Sequence, residues 1–567
     1  MPRPASQQPS VSRRAFLSGV FAAGAAGLLA GCGSTSEVVE TEDATEEDSP
    51  VVLNVGVCDL ESIDPFGCTD SSSGMVVPQL FDPLTRYDFP SGTLVGLAAE
   101  SWDVSDDATT FTFHLVSEAT FHDGEAVTSA SFKRAWKRLI CPDDELVEAL
   151  GSSNVGRHLA LVKGYDEFVA GEADDLAGVS CPDDETLEVE LSISYADFPY
   201  VVAHPALAPV PSCAVTDPEG FLVAPVGNGP FMLAEGETWA EGQSLTLVRF
   251  DGYHGGPALV DEVEFLAVND IDASYREFES GDVDVTEVPI DALSDAKKDC
   301  GLSEDGCTFS DDERLTIGAE PATTFIVCNT ALIPLNNLDV RRGLSLAIDR
   351  ESICDDVYRG TRLPADGIVS SAVLGYQEGA WGFAAYDEEL AAEYLEQVYP
   401  ADEEGMRDLS FTLMYSADGG HDELAEAIVD DLAKIGVTVE TDPIERETLV
   451  ERYAEGDFTL GLMTWTADYP TLDNVLYPLF HSDSLGGYNR SGYSSEDVDT
   501  AIDEARAVVD DAARTAALQE VDVLVGKSLP VIPLMYNTHQ IAASDRVDFL
   551  YCDPMGRLDL VSAEVEE

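Results

Sequence analysis

Apolar and polar positions alternate with period two in several stretches of this chain and give way between them to the 3.6-residue period of a helix. Phe111, Phe113 and Leu115 alternate with Thr110, Thr112 and His114, and Leu187, Val189, Leu191 and Ile193 alternate with Glu188, Glu190 and Ser192. Each run predicts a strand with one buried and one solvated face. Between them Asp123-Gly124 marks a turn, and Thr128 is placed to cap a helix whose Phe132, Ala135, Trp136 and Leu139 fall on one side. Asp339 is placed likewise before Val340, Leu344, Ala347 and Ile348. The fullest unit starts at Leu409: Leu409, Phe411, Leu413 and Tyr415 alternate, Leu424, Ile428, Leu432 and Ile435 make a helical stripe, Gly436 ends it, and Val437 and Val439 open another strand. A strand, a helix and a strand so joined pair in parallel with a right-handed crossover.

Runs rich in β-formers at 51–57, 245–250, 260–266 and 283–288 predict further sheet strands, 498–509 and 512–525 predict helices, and 529–536 predicts a late strand. The fold class is therefore α/β, and no repeat of solenoid length occurs. A strand predicted at 458–462 runs into Met463-Thr464-Trp465-Thr466-Ala467-Asp468-Tyr469-Pro470, where the proline stops further pairing. Open α/β sheets place ligands at loops on the carboxyl ends of strands, and this loop offers an indole, a phenol and one carboxylate among small residues. Trp465 and Asp468 are the leading candidates for ligand contact.

With 567 residues, 45% of them hydrophobic, the chain can bury more than one core. Its 30 Lys and Arg against 108 Asp and Glu give a formal net charge of −78, which excludes a general nucleic-acid binder and keeps an exported surface soluble. Residues 1–31 predict a signal peptide: Ser12-Arg13-Arg14-Ala15-Phe16-Leu17 has a twin-arginine look, and the small-residue run from Gly19 to Ala30 is too short to span a membrane. Leu29-Ala30-Gly31-Cys32 resembles a bacterial lipobox, which would make Cys32 the lipidated first residue of the mature chain. Residues 32–50 carry acids and no base and predict a solvated tether.

Cys32 set aside, the cysteines are even in number in a chain with an export signal, so disulfides are expected, with Cys58–Cys68 and Cys300–Cys307 as local pairings. Metal-ligand spacings are lacking, and His122, beside Asp123 in a turn, reads as structural. Gly227-Asn228-Gly229-Pro230 is no dinucleotide fingerprint, because Met232 stands where a third glycine is required. Gly343-Leu344-Ser345-Leu346-Ala347 lies within a helix rather than at a strand-to-helix turn, so Ser345 is not read as a nucleophile. No catalytic residue, metal or cofactor is assigned.

Several segments in order resemble one family. They are Leu97-Ala98-Ala99-Glu100-Ser101-Trp102, Phe121-His122-Asp123-Gly124, Gly227-Asn228-Gly229-Pro230, the helix opening at Val340-Arg341-Arg342, and Trp465-Thr466-Ala467-Asp468-Tyr469. Together they are similar to the extracellular solute-binding proteins of family 5, the oligopeptide and dipeptide binders of ABC importers. The resemblance runs from about residue 51 to about 545. It implies a two-lobed periplasmic-binding-protein-like fold of type II, cluster C, with lobe I at 51–314, an extra subdomain within it at about 93–220, lobe II at 315–535, and a return to lobe I at 536–567. It further implies that Asp468 pairs with the α-ammonium of a bound peptide and that Trp465, Thr464, Ala467 and Tyr469 shape its pocket, with Asp70 and Tyr536 as further cleft residues. Some members carry an arginine three positions before the tryptophan; here that position is Leu462.

The expected function is a monomeric surface lipoprotein that captures extracellular oligopeptides or dipeptides by lobe closure and delivers them to a membrane permease and its ATPase. It would be exported and held on the outer face of the bacterial cytoplasmic membrane by the lipid on Cys32. The alternatives are the same scaffold binding another solute such as a metal chelate, haem or an oligosaccharide, a secreted hydrolase using paired carboxylates, and a surface adhesin or sensor without transport.

Overall fold

A computed structural model of the chain describes residues 50–140 and 154–566. The predicted signal peptide, Cys32 and the tether up to residue 49 lie outside the described residues. Two long strands run side by side through the middle of the fold. Leu315–Cys328 and Val531–Ala543 pair antiparallel from Leu315↔Ala542 to Val327↔Val531, with register shifts between Ala319 and Thr323 and between Thr324 and Phe325. The second shift takes in Pro533, which has no N–H for a ladder and so needs an irregular place in it.

One flank of this ladder carries Val285–Glu287, then Val52–Cys58, Glu262–Val268, Leu245–Arg249 and Phe231–Leu233; the other carries Leu460–Thr466, Ser410–Ser416 and Thr438–Ile444. Both lobes therefore hang on one pair of strands. Apolar side chains divide accordingly. One core collects Leu53, Val55, Phe111, Trp136, Phe198 and Phe265, while others collect Ile326, Leu413, Leu424, Leu432 and Ile532, or Trp381, Leu476, Ile502 and Val525. Burying each aliphatic side chain of this size contributes roughly 1.5–3 kcal/mol before chain entropy is subtracted. A separate four-stranded sheet in the first lobe joins Ala99–Val104, Thr110–Leu115, Thr186–Glu190 and Val179–Asp183.

Local chemistry explains most boundaries. Ser410–Ser416 and Thr438–Ile444 pair in parallel across the helix Asp422–Lys434, as the apolar pattern predicts. The helix cap expected at Asp339 sits two residues earlier: Asn337 accepts the N–H of Asp339 at 2.9 Å, and Asp339 pairs with Arg342 in the first turn. The strand expected to end at 462 continues to Thr466, because Thr464, Trp465 and Thr466 keep pairing with Thr324, Thr323 and Ala322. Threonines and tryptophan suit a pleated, half-buried surface, so the loop begins only at Ala467. His122 is structural: its Nδ1 accepts from Gly227 N–H and its Nε2 lies 3.1 Å from the Gly229 carbonyl, while burial pushes its pKa down to about 4. Glycine is required beside it, since a Cβ on Gly227 would meet the Leu80 carbonyl oxygen at 1.8 Å.

The disulfide expectations are corrected. Cys58, Cys68, Cys300 and Cys307 are free thiols, and Cys307 faces Cys552 instead, whose N–H donates to the Cys307 carbonyl at 2.8 Å beside the paired strands Thr308–Ser310 and Val547–Tyr551. The chain folds Cys307 away from its sequence neighbour into a third, small sheet.

Asp522 is buried in the second lobe and accepts the Trp381 indole N–H at 2.8 Å. Burial first, offset partly by that hydrogen bond and reinforced by Asp366, pushes its pKa up to about 6. A carboxyl raised in the folded state holds a proton that the unfolded chain has released, so its contribution to stability falls as pH rises from about 4 to about 6. Asp522→Asn keeps the Oδ1 acceptor without the charge. We expect it to stabilise the protein at pH 7.5 by roughly 1–3 kcal/mol and to leave it unchanged at pH 4, read by denaturant melts at both pH values.

Candidate functional site

The strand Leu460–Thr466 leaves the central sheet next to the irregular stretch of Leu315–Cys328, and the turn that follows is fastened on every side. Ala467 is fully buried and its N–H donates to the Pro321 carbonyl at 2.8 Å. Asn474, near the start of the helix Asp473–Phe480, holds the turn twice: its Oδ1 accepts the Asp468 N–H at 2.8 Å and its carbonyl accepts the Trp465 indole N–H at 2.9 Å. Tyr469 turns inward, where its hydroxyl lies 2.7 Å from that of Tyr195 in the first lobe. Backbone and ring positions are thus fixed before any ligand arrives, which is the arrangement that preorganised binding requires.

The turn leaves the Asp468 carboxylate and the Trp465 ring half-buried, with Thr464 and Thr466 exposed beside them. Thr464 is exposed and its hydroxyl lies 2.9 Å from that of Thr324, which in turn donates to Asn537 at 3.1 Å. Trp465 packs edge-to-face with Tyr488 at 5.1 Å. Asp468 receives a cation from the opposite lobe: Arg157 Nη2 lies 2.8 Å from its Oδ2, and the same guanidinium stands over the Tyr488 ring at 5.9 Å. Burial alone would push the Arg157 pKa down, but the Asp468 carboxylate beside it holds it above the usual arginine value. His158 Nε2 is 3.6 Å from the same carboxylate oxygen, yet burial pushes the His158 pKa down to about 4, so at neutral pH it brings no charge. His204, also buried and held neutral, lies against the His158 ring at 5.4 Å. The site is one carboxylate, walled by indole and phenol rings, that already attracts a guanidinium.

The turn therefore gathers Asp468, Trp465, Thr464, Ala467 and Tyr469; Tyr536 stands level with them in the same sheet, since Thr323 pairs with both Trp465 and Tyr536, while Asp70 lies on another element. Asp70 caps the helix Ser71–Leu80, accepting the N–H and hydroxyl of Ser73, and lines a separate hollow of about 650 Å3 with Asp59, Asp270 and Glu287. The residues after Asp70 are thus the first turn of a helix, whose Ser73 N–H the Asp70 carboxylate accepts. Tyr536 is buried, and its hydroxyl is spent on Asp366 at 2.7 Å within the second lobe. Arg157, His158, Asn474 and Tyr195 are the contacts that sequence reasoning missed. A cavity of about 950 Å3 opens beside the turn, its walls including Leu374, whose N–H donates to the Pro470 carbonyl at 3.0 Å.

The family model for bacterial extracellular solute-binding proteins, family 5 Middle, matches residues 93–487. The oligopeptide-binding protein OppA of Bacillus subtilis (strain 168) is 26% identical over 530 residues, covering 90% of this chain and 92% of its own length. The dipeptide-binding protein DppE of the same organism is 28% identical over 482 residues, covering 82% of this chain and 83% of its own. Among solved structures, the periplasmic murein tripeptide binding protein MppA in its unliganded open form superposes with a TM-score of 0.76 at 22% identity, covering 91% of this chain and 97% of that one.

Proposed function

The chain belongs to the bacterial extracellular solute-binding proteins of family 5, and from that membership we propose that it captures peptides between its lobes and hands them to an ABC permease. One observation carries the reading. The part-exposed Asp468 carboxylate, on the turn after the strand Leu460–Thr466, is met at 2.8 Å by a cation far off in sequence, the Arg157 guanidinium. A peptide's α-ammonium is a cation of the same kind, and the surrounding indole and phenol rings suit it as well. The relatives named for oligopeptide and dipeptide binding support the same solute class. Closure would pivot where the two central strands lose register at Ala319–Thr323, and it gains from contacts that a ligand makes to both lobes only when they are together. The protein does no chemistry on its ligand. Export by the N-terminal segment and a lipid on Cys32 would hold a monomer at the membrane surface near the permease.

Calorimetric titration of the mature domain with peptides of two to five residues, each free and N-acetylated, tests this. Binding that disappears on acetylation is the expected outcome. Equal binding of both forms would reject Asp468 as the ammonium anchor, and heat from no peptide at all, after co-purified ligand has been stripped, would reject the peptide itself.

A further inference from the structure

His158 lies with Arg157 on the short helical segment Asn154–Leu159, and its side chain is only 6% exposed. Two rings hold the imidazole in place, His204 at 5.4 Å and, edge-on, Tyr469 at 6.0 Å. Both have commitments of their own: His204 Nδ1 accepts the Ala206 N–H at 3.1 Å, and the Tyr469 hydroxyl lies 2.7 Å from that of Tyr195. His158 Nε2 is shut off from water and has no hydrogen bond among the described residues. Leaving such an atom unpaired is costly, and folded proteins pair most of their buried polar atoms. His122 and His254 do so, with Nε2 at 3.1 Å from the Gly229 carbonyl and at 2.8 Å from Asp82. Other buried atoms in the fold are also unpaired, but this one stands beside the Asp468 carboxylate, whose Oδ2 is 3.6 Å away.

That separation is too long for a hydrogen bond between the two groups and short enough for one small donor to bond to both. Arg157 does not complete the set. Its Nη2 reaches Asp468 Oδ2 at 2.8 Å, yet it leaves His158 Nε2 unpaired. An ammonium differs from the flat guanidinium fork in carrying three N–H groups on one atom, so it can give one to the carboxylate oxygen and another to the imidazole nitrogen. The imidazole accepts only while it is neutral, with the ring proton on Nδ1. Burial, opposed by Asp468 and aided by Arg157, keeps it so by pushing the His158 pKa down to about 4.

We propose that His158 Nε2 is a second acceptor, beside Asp468, for the ammonium of the ligand, so that the site selects a primary ammonium with at least two free N–H groups over a tertiary one of equal charge. The inference rests on the peptide reading only for what the ammonium belongs to, the peptide's N-terminus. Calorimetry with one peptide carrying either a free or an N,N-dimethylated α-amine, at pH 6.5 where both are cations, reads it directly. The dimethylated form keeps one N–H for Asp468 and has none left for His158. The wild-type protein is expected to prefer the free amine by about 10- to 150-fold, the range of one charge-assisted contact. H158L should lose that preference, and H158Q, whose amide oxygen restores an acceptor, should recover part of it. Thermal melts without ligand confirm that both variants fold. A parallel thermal-shift series with glycinamide and N,N-dimethylglycinamide, which present the cation without a peptide chain, reads the Asp468–His158 pair alone. Greater stabilisation by glycinamide, lost in H158L, keeps the inference even where no peptide binds and the peptide reading fails; a wild-type protein that treats the two amines alike in both series, or a preference that H158L keeps, overturns it.

Discussion

Replacing Asp468 by Asn is expected to weaken peptides with a free α-amine by about 10- to 150-fold and to leave N-acetylated peptides unaffected. The substitution is nearly isosteric, and the turn is held by the Asp468 N–H on Asn474 and by Ala467 on Pro321, neither of which involves the carboxylate. Only the charge goes. His158 is neutral at physiological pH because burial pushes its pKa down to about 4, so among the described residues Arg157 is the cation that balances the carboxylate. An arriving ammonium must share Asp468 with that guanidinium or displace it. Arg157→Gln therefore carries the opposite sign and should tighten free-amine peptides while loosening the empty closed form. If Arg157→Gln weakened them instead, Arg157 would be a ligand contact and Asp468 its support. Isothermal titration at two salt concentrations separates the cases, since a part-exposed pair is screened by salt and a packing defect is not.

Much of this was legible in the chain, and the reasons differ by element. The unit from Ser410 to Ile444 follows from period alone, because a parallel strand, a capped helix and a second strand leave a pattern within about 35 residues that no distant contact overrides. The turn at Asp468 was legible as chemistry, since an indole, a phenol and a carboxylate stand where a strand ends. Its boundary was not, because Thr464 to Thr466 continue pairing only by virtue of Leu315–Cys328, far away in sequence. The engagement of the polar atoms of Asp70 and Tyr536 was not legible for a related reason. Each has a partner, Ser73 or Asp366, that satisfies it locally or across the second lobe, and a residue's type does not reveal whether its polar atoms are already spent. Arg157 left no local signal at all, standing 311 positions from the carboxylate it meets.

Arg514→Met is expected to destabilise the folded protein by about 3–5 kcal/mol at pH 7.5, the cost of leaving a buried charge without its partner. Arg514, on the helix Asp511–Ser528 of the second lobe, donates from Nε to Asp197 of the first lobe at 2.6 Å, and both side chains are buried. Close by, Arg506 lies 3.3 Å from Asp473 and over the Tyr195 and Tyr477 rings at 4.4 and 4.0 Å, so the contact is a continuous ionic and aromatic seam between the lobes. Burial, relieved in part by Arg514 and aggravated by Asp473, pushes the Asp197 pKa up to about 6. The wild-type carboxylate is thus already costly in its charged form, and its contribution to stability falls as pH rises from about 4 to about 6. Without Arg514 the pKa rises further, Asp197 takes up a proton, and the penalty of the variant should shrink at pH 5. Asp197→Asn/Arg514→Met removes the stranded charge and should recover most of the loss at pH 7.5. Chemical denaturation of the wild type, both single variants and the double variant at pH 5 and 7.5 closes the cycle. A penalty in Arg514→Met that is independent of pH and unrelieved by Asp197→Asn would mean that the arginine acts through its packed stem rather than its charge.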